Sequence, residues 1–147
     1  MSIDDDVALL DRIPTFHLLG SASLRMLAIG SEQRDIPRGD FLFREGDDAD
    51  SGFVVQRGAF RLDNEHGAEV IAGPGTLIGE LALVVQMRRP SNALALEYST
   101  VIRIARSLFK RVLESDPEAA RRLRDEFASR SSQIASDILI AGGKLSS

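Results

Sequence analysis

The sequence predicts a mainly β fold, a sandwich or a barrel, with helices before and after the strands. Ten of the twelve glycines lie between Gly20 and Gly79, and none occurs from Glu80 to Ala141. The first part of the chain is therefore dense in turns, whereas the second is free to form helix or uninterrupted strand. Short runs rich in β-branched and aromatic residues recur in the first part at a spacing of roughly 8–12 residues, which favours a sandwich or a barrel.

Two short helices are predicted ahead of the strands. The first has a cluster of apolar residues and stops near Pro14: Val7, Leu9, Leu10 and Ile13. The second places Leu24, Leu27 and Ala28 at positions i, i+3 and i+4. Either Ser21 or Ser23 is a suitable N-cap for it.

The predicted strands occupy short segments separated by glycine-containing turns. They are residues 41–43, 53–56, 59–62, 68–72, 93–96 and 100–105. We expect the strand-rich region to span about residues 31–105. Two helices should follow it over about residues 107–141, the first from Ser107 to Leu113 and the second opened by Asp116 as N-cap and Pro117 at its first position.

Composition sets limits on the class of protein. The chain has 147 residues, a formal net charge of -4 and no cysteine, so it fits one domain without disulfides or cysteine-ligated metal. Its charge has the wrong sign for a protein that coats nucleic acid. No apolar run approaches the roughly 20 residues of a membrane span, and the acidic residues Asp4 to Asp6 are unlike a signal peptide. A single cytoplasmic domain of residues 1–147 is expected.

One segment, residues 75–93, carries residues suited to ligand chemistry. Glu80 to Val85 predicts a short helix, whose N-terminus would present N–H groups to a phosphate. Gly79 would let a ligand approach the backbone closely, and Arg89 would add a charge-assisted clamp. Glu80 beside a phosphate suggests a ribose hydroxyl, hence a nucleotide. For these residues alone, a short amphipathic helix packed under a turn is the alternative interpretation.

The wider pattern resembles the cyclic nucleotide-binding domain family, which includes catabolite-activator-like regulators, regulatory subunits of cyclic-AMP-dependent kinase and nucleotide-gated channels. The resemblance covers about residues 10–130. It includes Pro37-x-Gly39, Leu42-Phe43-x-x-Gly46-Asp47, Val54-Val55-x-x-Gly58 and Gly79-Glu80-Leu81-Ala82-Leu83, with Arg89 ten residues after Gly79. The resemblance implies an eight-stranded jelly-roll-like β-barrel with N-terminal helices and a long C-terminal helix.

The resemblance also implies roles for individual residues. Residues 79–92 would form the phosphate-binding cassette, in which Glu80 holds the ribose 2′-hydroxyl and Arg89 holds the cyclic phosphate. The backbone N–H groups of Leu81 and Ala82 would complete the phosphate cradle. A count without gaps along the channel-type pattern places the purine-capping arginine at Arg130, for which a solvated helix arginine is the alternative.

The cassette departs from the family pattern after Arg89. Pro90-Ser91-Asn92 stands where many relatives have x-Ala-Thr or Ser-Ala-Thr. Pro90 lacks an N–H donor and also the hydroxyl that cyclic-GMP-selective members use there. The Ser91 hydroxyl is a candidate replacement. The expected ligand is therefore cyclic AMP, with cyclic GMP as the second choice.

Other function classes find less support. His17 and His66 are far apart, so a metal site of the cupin type is not expected, and no catalytic triad is recognisable. No enzyme activity and no resident cofactor are predicted. The residues after the long helix are too few for a helix-turn-helix module, so neither a DNA-binding domain nor nucleic-acid binding is expected.

Two hypotheses follow. The first is a stand-alone sensor that signals to an unknown effector protein through its C-terminal helix, with a homodimer formed through Ile134, Ile138 and Leu139 on that helix. The second is a structural interaction module or scaffold subunit that keeps the fold but binds no ligand, for which Pro90 is the argument.

Overall fold

The structure, a computed structural model, describes residues 2–67 and 69–129. Three helices precede the strands: α1 (Ile3–Asp11), α2 (Pro14–His17) and α3 (Ser21–Gly30). Helix α4 (Arg106–Ser115) follows the last strand, and helix α5 occupies residues 117–129 as far as the chain is described. A short 3₁₀ helix (Glu80–Leu83) lies among the strands.

The described residues contain ten short strands. They are β1 (Glu32–Ile36), β2 (Phe41–Phe43), β3 (Asp48–Ala49), β4 (Ser51–Arg57), β5 (Phe60–Asp63), β6 (Glu69–Ala72), β7 (Leu77–Ile78), β8 (Met87–Arg88), β9 (Asn92–Ala95) and β10 (Ser99–Ala105). Antiparallel pairs are nested: β1 with β10, β2 with β9, β3 with β8, β4 with β7, and β5 with β6. A long hairpin folded over on itself gives this order, which is the pairing of a jelly roll.

The strands form two four-stranded sheets, in the orders β1-β10-β4-β7 and β2-β9-β5-β6, and a two-stranded ribbon of β3 and β8. The prediction of a mainly β fold with flanking helices is confirmed. The strands number ten rather than eight in the described part, and the two sheets do not join into one closed barrel. Strands β3, β7 and β8 have two residues each, too few for any alternation to be visible in the sequence.

Two apolar clusters form the core. In β4, Val54 faces the helices, whereas Phe53 and Val55 face the second sheet. Strand β10 alternates in the same way, because Ile102 belongs to the helix-side cluster and Val101 to the cluster between the sheets. The central strands β4 and β10 of the first sheet are thus buried on both faces, which is why each contains consecutive apolar residues, as in Phe53-Val54-Val55 and Val101-Ile102.

Strand β1 was not predicted, because its sequence from Glu32 to Ile36 is almost entirely polar. It lies at the edge of the first sheet, where only β10 pairs with it and its side chains face solvent. Its position is stabilised by charge, since Arg103 on β10 lies 3.9 Å from Glu32. An edge strand needs no apolar face if its polar groups find partners.

The N-cap predicted for α3 is wrong. Gly20 occupies the cap position, and neither Ser21 nor Ser23 caps the helix. The Ser23 hydroxyl instead donates to Asp116 Oδ2 at 2.9 Å, while Asp116 Oδ1 accepts from the backbone N–H of Ala119 at 3.2 Å. Asp116 therefore caps α5, as predicted, and at the same time ties the start of α5 to α3.

Candidate functional site

A cavity of about 270 Å³ opens between the 3₁₀ helix and the segment after β8. Its lining includes seven of the eight residues predicted to bind ligand: Gly79, Glu80, Leu81, Ala82, Arg89, Pro90 and Ser91. The eighth, Arg130, lies outside the described residues. The fold therefore brings together two parts of the predicted cassette that are ten residues apart.

Arg89 is the most buried charged side chain of this cavity. Only 5% of the residue is exposed, and its guanidinium carbon lies 4.3 Å from the centre of the Phe43 ring and 5.4 Å from that of Phe53. Nη2 donates to the Ser51 hydroxyl at 3.2 Å, but Nε has no hydrogen-bond partner in the described part of the chain. Burial lowers the pKa of Arg89 from its usual value, yet an arginine stays charged at neutral pH.

No carboxylate of the described residues forms an ion pair with Arg89. Asp50 is near, but its carboxylate already accepts from the Ser51 hydroxyl at 3.0 Å and from Arg103 at 3.2 Å. The positive charge of Arg89 is compensated in part by the faces of two aromatic rings and, without direct ion pairs, by the nearby carboxylates of Asp50 and Asp47. A buried cation in this condition favours the entry of an anion.

The backbone of Arg89 is positioned by the turn before β3. Gly46 donates its N–H to the Arg89 carbonyl at 2.8 Å, and Arg89 donates its own N–H to the Asp47 carbonyl at 2.7 Å. On the other side, a Cβ added to Gly79 would lie 2.7 Å from Arg89 Nη1. Gly79 also has a φ of +77°, so glycine serves both the conformation and the close approach.

The helix predicted over Glu80 to Val85 is wrong in type and length. The structure has a 3₁₀ helix from Glu80 to Leu83, followed by the β-branched residues Val84 and Val85, which are poor helix formers. Ala82 uses its N–H to bind the Gly79 carbonyl at 3.1 Å. The Ala82 N–H is therefore already used within the 3₁₀ turn. It can contribute to the phosphate cradle expected from Leu81 and Ala82 only after this hydrogen bond is exchanged.

Glu80 lies at the first position of the 3₁₀ helix and is half-buried. Its Oε2 accepts a hydrogen bond from the hydroxyl of Thr15 on α2. Thr15 is almost completely buried, with 1% exposed, although it is 65 residues away in the chain. The carboxylate is thus part of a contact between the cassette and the N-terminal helices.

Pro90 and Ser91 complete the side of the cavity after Arg89. Pro90 is exposed and Ser91 half-buried. Asn92, which follows them, accepts from the Glu45 N–H at 2.8 Å and donates to Asp63 at 3.1 Å. This segment is therefore held by Asn92, while Pro90 and Ser91 face the cavity.

Sequence reasoning missed four residues that shape the site: Thr15, Ser51, Phe53 and Arg106. From the first turn of α4, Arg106 donates from Nε to the Ala82 carbonyl at 2.7 Å and from Nη2 to the Ala49 carbonyl. It joins α4, the 3₁₀ helix and β3. Phe43 belongs to the quoted motif but was not assigned to the site. No local pattern marks these residues, because each acts on a partner far away in the chain.

A second cavity, of about 690 Å³, lies between the 3₁₀ helix and the C-terminal helices. Leu83 and Val84 line one side of it, and Leu123 and Phe127 the other. None of the predicted ligand residues within the described chain lines this cavity. Although it is larger, the buried cation and the half-buried carboxylate place the candidate site at the smaller cavity.

The described residues contain neither a metal-binding cluster nor a helix suited to span a membrane. In residues 2–67 and 69–129, no cluster of three histidine or acidic side chains is arranged to hold a metal ion. His17 is exposed with Nδ1 3.1 Å from Asp11 Oδ1, and the exposed His66 lies 3.6 Å from Glu65. No helix in this part of the chain combines the length and apolarity required to cross a bilayer.

Comparison with known proteins identifies the class to which this fold and site belong. A model of the cyclic nucleotide-binding domain matches residues 33–116, which are more than half of the chain. The chain belongs to the cyclic nucleotide-binding domain family, and it contains a regulatory module of that kind.

Three similar proteins illustrate the relationship. The cAMP-dependent protein kinase regulatory subunit of Eremothecium gossypii is 29% identical over 112 residues, covering 76% of this chain and 24% of that protein. The cyclic AMP receptor protein of Thermus thermophilus is 28% identical over 122 residues, covering 80% and 56%. A cyclic nucleotide-binding-like protein from Brucella abortus has a solved structure with a TM-score of 0.68 and 37% identity, covering 76% of this chain and 99% of that one.

The chain thus spans about a quarter of the kinase subunit and about half of the receptor protein. What it shares with them is one domain.

Proposed function

We propose that this chain is a cyclic nucleotide sensor that binds cyclic AMP in preference to cyclic GMP. The observation that carries the proposal is Arg89, a cation that is 95% buried, lacks an ion pair among the described residues and has an unpartnered Nε in the wall of the cavity. A cyclic phosphate carries a single negative charge with acceptor oxygens, which matches this need. The proposed role is binding and regulation, without a catalytic step.

The proposed assignment of residues follows the cavity lining. Arg89 would bind the cyclic phosphate, and Glu80 would accept a hydrogen bond from the ribose 2′-hydroxyl. Backbone N–H groups of Leu81 and Ala82 would join the phosphate site once the Ala82 bond to Gly79 is exchanged. Arg130 is proposed as the cap of the purine.

The preference for cyclic AMP is argued from the segment after Arg89. Pro90 has neither a side-chain hydroxyl nor an N–H with which to bind the guanine amino group or the phosphate. Two of the similar proteins described above carry cyclic AMP in their names, which supports the same choice. Ser91, half-buried at the cavity wall, is the hydroxyl available to replace the missing donor.

We further propose that ligand binding is relayed to an effector protein through the C-terminal helices. Arg106, in the first turn of α4, donates a hydrogen bond to the Ala82 carbonyl. We therefore expect a displacement of Ala82 to displace α4 as well. The apolar cavity between Leu83 and Phe127 leaves room for α5 to pack differently. The residues proposed for a homodimer, Ile134, Ile138 and Leu139, lie outside the described residues.

The proposal is tested by thermal unfolding with and without cyclic AMP and cyclic GMP. A ligand at 100 times its Kd should add about 2.7 kcal/mol to the free energy of unfolding if only the folded state binds it. We expect cyclic AMP to raise the Tm more than cyclic GMP, and we expect Arg89→Ala to abolish the shift. Arg88→Ala is the matched control, because Arg88 is the neighbouring arginine and is exposed.

A Tm that neither nucleotide changes at millimolar concentration would contradict the sensor and favour the ligand-free interaction module. A shift that persists in Arg89→Ala would contradict the assignment of the phosphate site.

A further inference from the structure

The hydrogen bond between Thr15 and Glu80 joins the candidate site to a residue 65 positions away in the chain. It connects α2, near the start of the chain, to the first residue of the 3₁₀ helix. Thr15 is buried and has 1% exposed, so its hydroxyl needs a partner inside the protein. The partner it has is the carboxylate that would bind the ribose.

The position of Thr15 is fixed by its neighbours. Pro14 starts the four-residue helix α2, and Phe16, next to Thr15, is completely buried. The Phe16 ring packs edge-on against Phe109 of α4, with the ring centres 5.9 Å apart. As a β-branched residue, Thr15 also has few side-chain rotamers. The Thr15 hydroxyl is therefore held in a fixed position.

The hydrogen bond from Thr15 helps to orient the Glu80 side chain. Glu80 has a side chain with three rotatable bonds, and its helix is a single 3₁₀ turn that offers little support. A carboxylate has about four acceptor positions on two oxygens, so a bond from Thr15 to Oε2 orients the group and leaves acceptor capacity for a ligand hydroxyl. A group held in its binding geometry loses less conformational entropy when the ligand arrives.

We infer that Thr15 is a positioning residue for ribose recognition, which it serves by holding the Glu80 carboxylate ready for the 2′-hydroxyl of the nucleotide. This inference rests on the proposed function. It adds a residue from outside the cassette, and it makes the N-terminal helices part of the determinant that distinguishes a ribose from a deoxyribose.

The test compares cyclic AMP with 2′-deoxy cyclic AMP, which lacks the hydroxyl in question. Thr15→Val removes the donor with little change of shape, and we expect it to weaken cyclic AMP binding roughly tenfold. Binding of 2′-deoxy cyclic AMP should change by less than about twofold. Thr15→Ser, which restores a hydroxyl, should recover most of the affinity for cyclic AMP.

Thr100→Val is the matched control. Thr100 is also buried and its hydroxyl also donates to a carboxylate, that of Asp35 at 3.1 Å, but neither residue lines the cavity. It should leave the ratio of the two affinities unchanged. Thr15→Ala provides the same comparison if the valine variant does not fold.

The outcomes separate the two proposals. In one outcome, the wild-type chain binds cyclic AMP, but Thr15→Val weakens the binding of cyclic AMP and of 2′-deoxy cyclic AMP equally, or weakens the binding of neither. Thr15 is then only a structural residue, so the inference is overturned while the proposed function stands. If the wild-type chain binds neither nucleotide, the proposed function and the inference are both overturned.

Discussion

Arg89 is the residue on which the proposed ligand site depends, and its burial has an energetic cost. Its guanidinium lies between the Phe43 and Phe53 rings, with a hydrogen bond to Ser51 and none at Nε. Two cation–π contacts are worth up to about 2 kcal/mol each, whereas the desolvation of a buried ion costs several kcal/mol. We therefore expect a net desolvation cost at this position in the unliganded domain, which a bound anion would offset.

A prediction at this scale concerns Arg89→Met. Methionine has a similar length and is apolar, so it keeps the contact with both rings and removes the buried charge. We expect the free energy of unfolding of the unliganded protein to rise by about 1 kcal/mol, and cyclic AMP binding to be lost. Chemical denaturation with and without ligand measures both effects.

The exposed neighbour again provides the control. Arg88→Met should change neither the stability nor the binding appreciably. A marked loss of stability in unliganded Arg89→Met would show that the aromatic contacts outweigh the desolvation, contrary to the argument above.

At the scale of elements, the C-terminal helices are attached to the rest of the fold by the helix-side apolar cluster, which includes Phe109 and Leu123, and by a few polar contacts. Arg106 binds carbonyl groups of Ala49 and Ala82, and Arg122 on α5 donates to the Leu18 carbonyl at 3.0 Å. Asp116 joins α5 to α3 through Ser23. The polar contacts can be exchanged when the helices change position, whereas the apolar contacts of Phe109 and Leu123 have to be kept or repacked.

The pH dependence of stability offers a test of the Asp116 contact. The N–H of Ala119 and then the hydroxyl of Ser23 lower the pKa of Asp116 in the folded state. A lowered folded-state pKa contributes stability that is present above the unfolded-state pKa and is lost as the pH falls through the folded-state value. The contribution should therefore disappear below about pH 4.

We expect the Tm of Asp116→Asn to be lower than that of the wild-type chain at pH 7, since asparagine still caps a helix but carries no charge. The difference should shrink as the pH falls towards 2, measured by circular dichroism. A difference that stays constant over this range would show that the charge of Asp116 is irrelevant.

Helices and strands that are determined by burial or by a local sequence signal were predicted, whereas those determined by a distant partner were not. Strands β4 and β10 were predicted because burial on both faces requires apolar residues, and the start of α5 because Asp116 and Pro117 are a local signal. Strand β1 was missed because its partner, not its composition, makes it a strand. The 3₁₀ turn at Glu80 was missed because Gly79 and the two valines after Leu83 shorten a segment that favours helix.

The residues of the candidate site also fall into a predicted group and a group that was not predicted. The cassette over residues 79–92 was assigned from the family resemblance, which was recognisable because its motif residues are close in the sequence, and its role in ligand binding stays a prediction. Thr15, Ser51 and Arg106 were not predicted, since each is recognised only by a partner that folding brings near.

At the scale of the whole molecule, the nested hairpin explains why two cavities share the 3₁₀ helix. The strands bring the cassette between the sheets and the helices, so its Ala82 face lines the 270 Å³ cavity and its Leu83 face lines the 690 Å³ cavity. A ligand in the 270 Å³ cavity would therefore lie next to the 690 Å³ cavity. This arrangement supports a relay from the nucleotide to the C-terminal helices.

The central claim, that the cavity around Arg89 binds a cyclic nucleotide, is tested most directly by isothermal titration calorimetry of cyclic AMP into the 147-residue chain. We predict saturable binding of one nucleotide per chain that is weakened at least a hundredfold in Arg89→Ala and unchanged in Arg88→Ala, since a charge-assisted contact worth about 3 kcal/mol is removed only in the first. The absence of saturable binding by the wild-type chain at millimolar cyclic AMP, or equal affinity in wild type and Arg89→Ala, would contradict the claim.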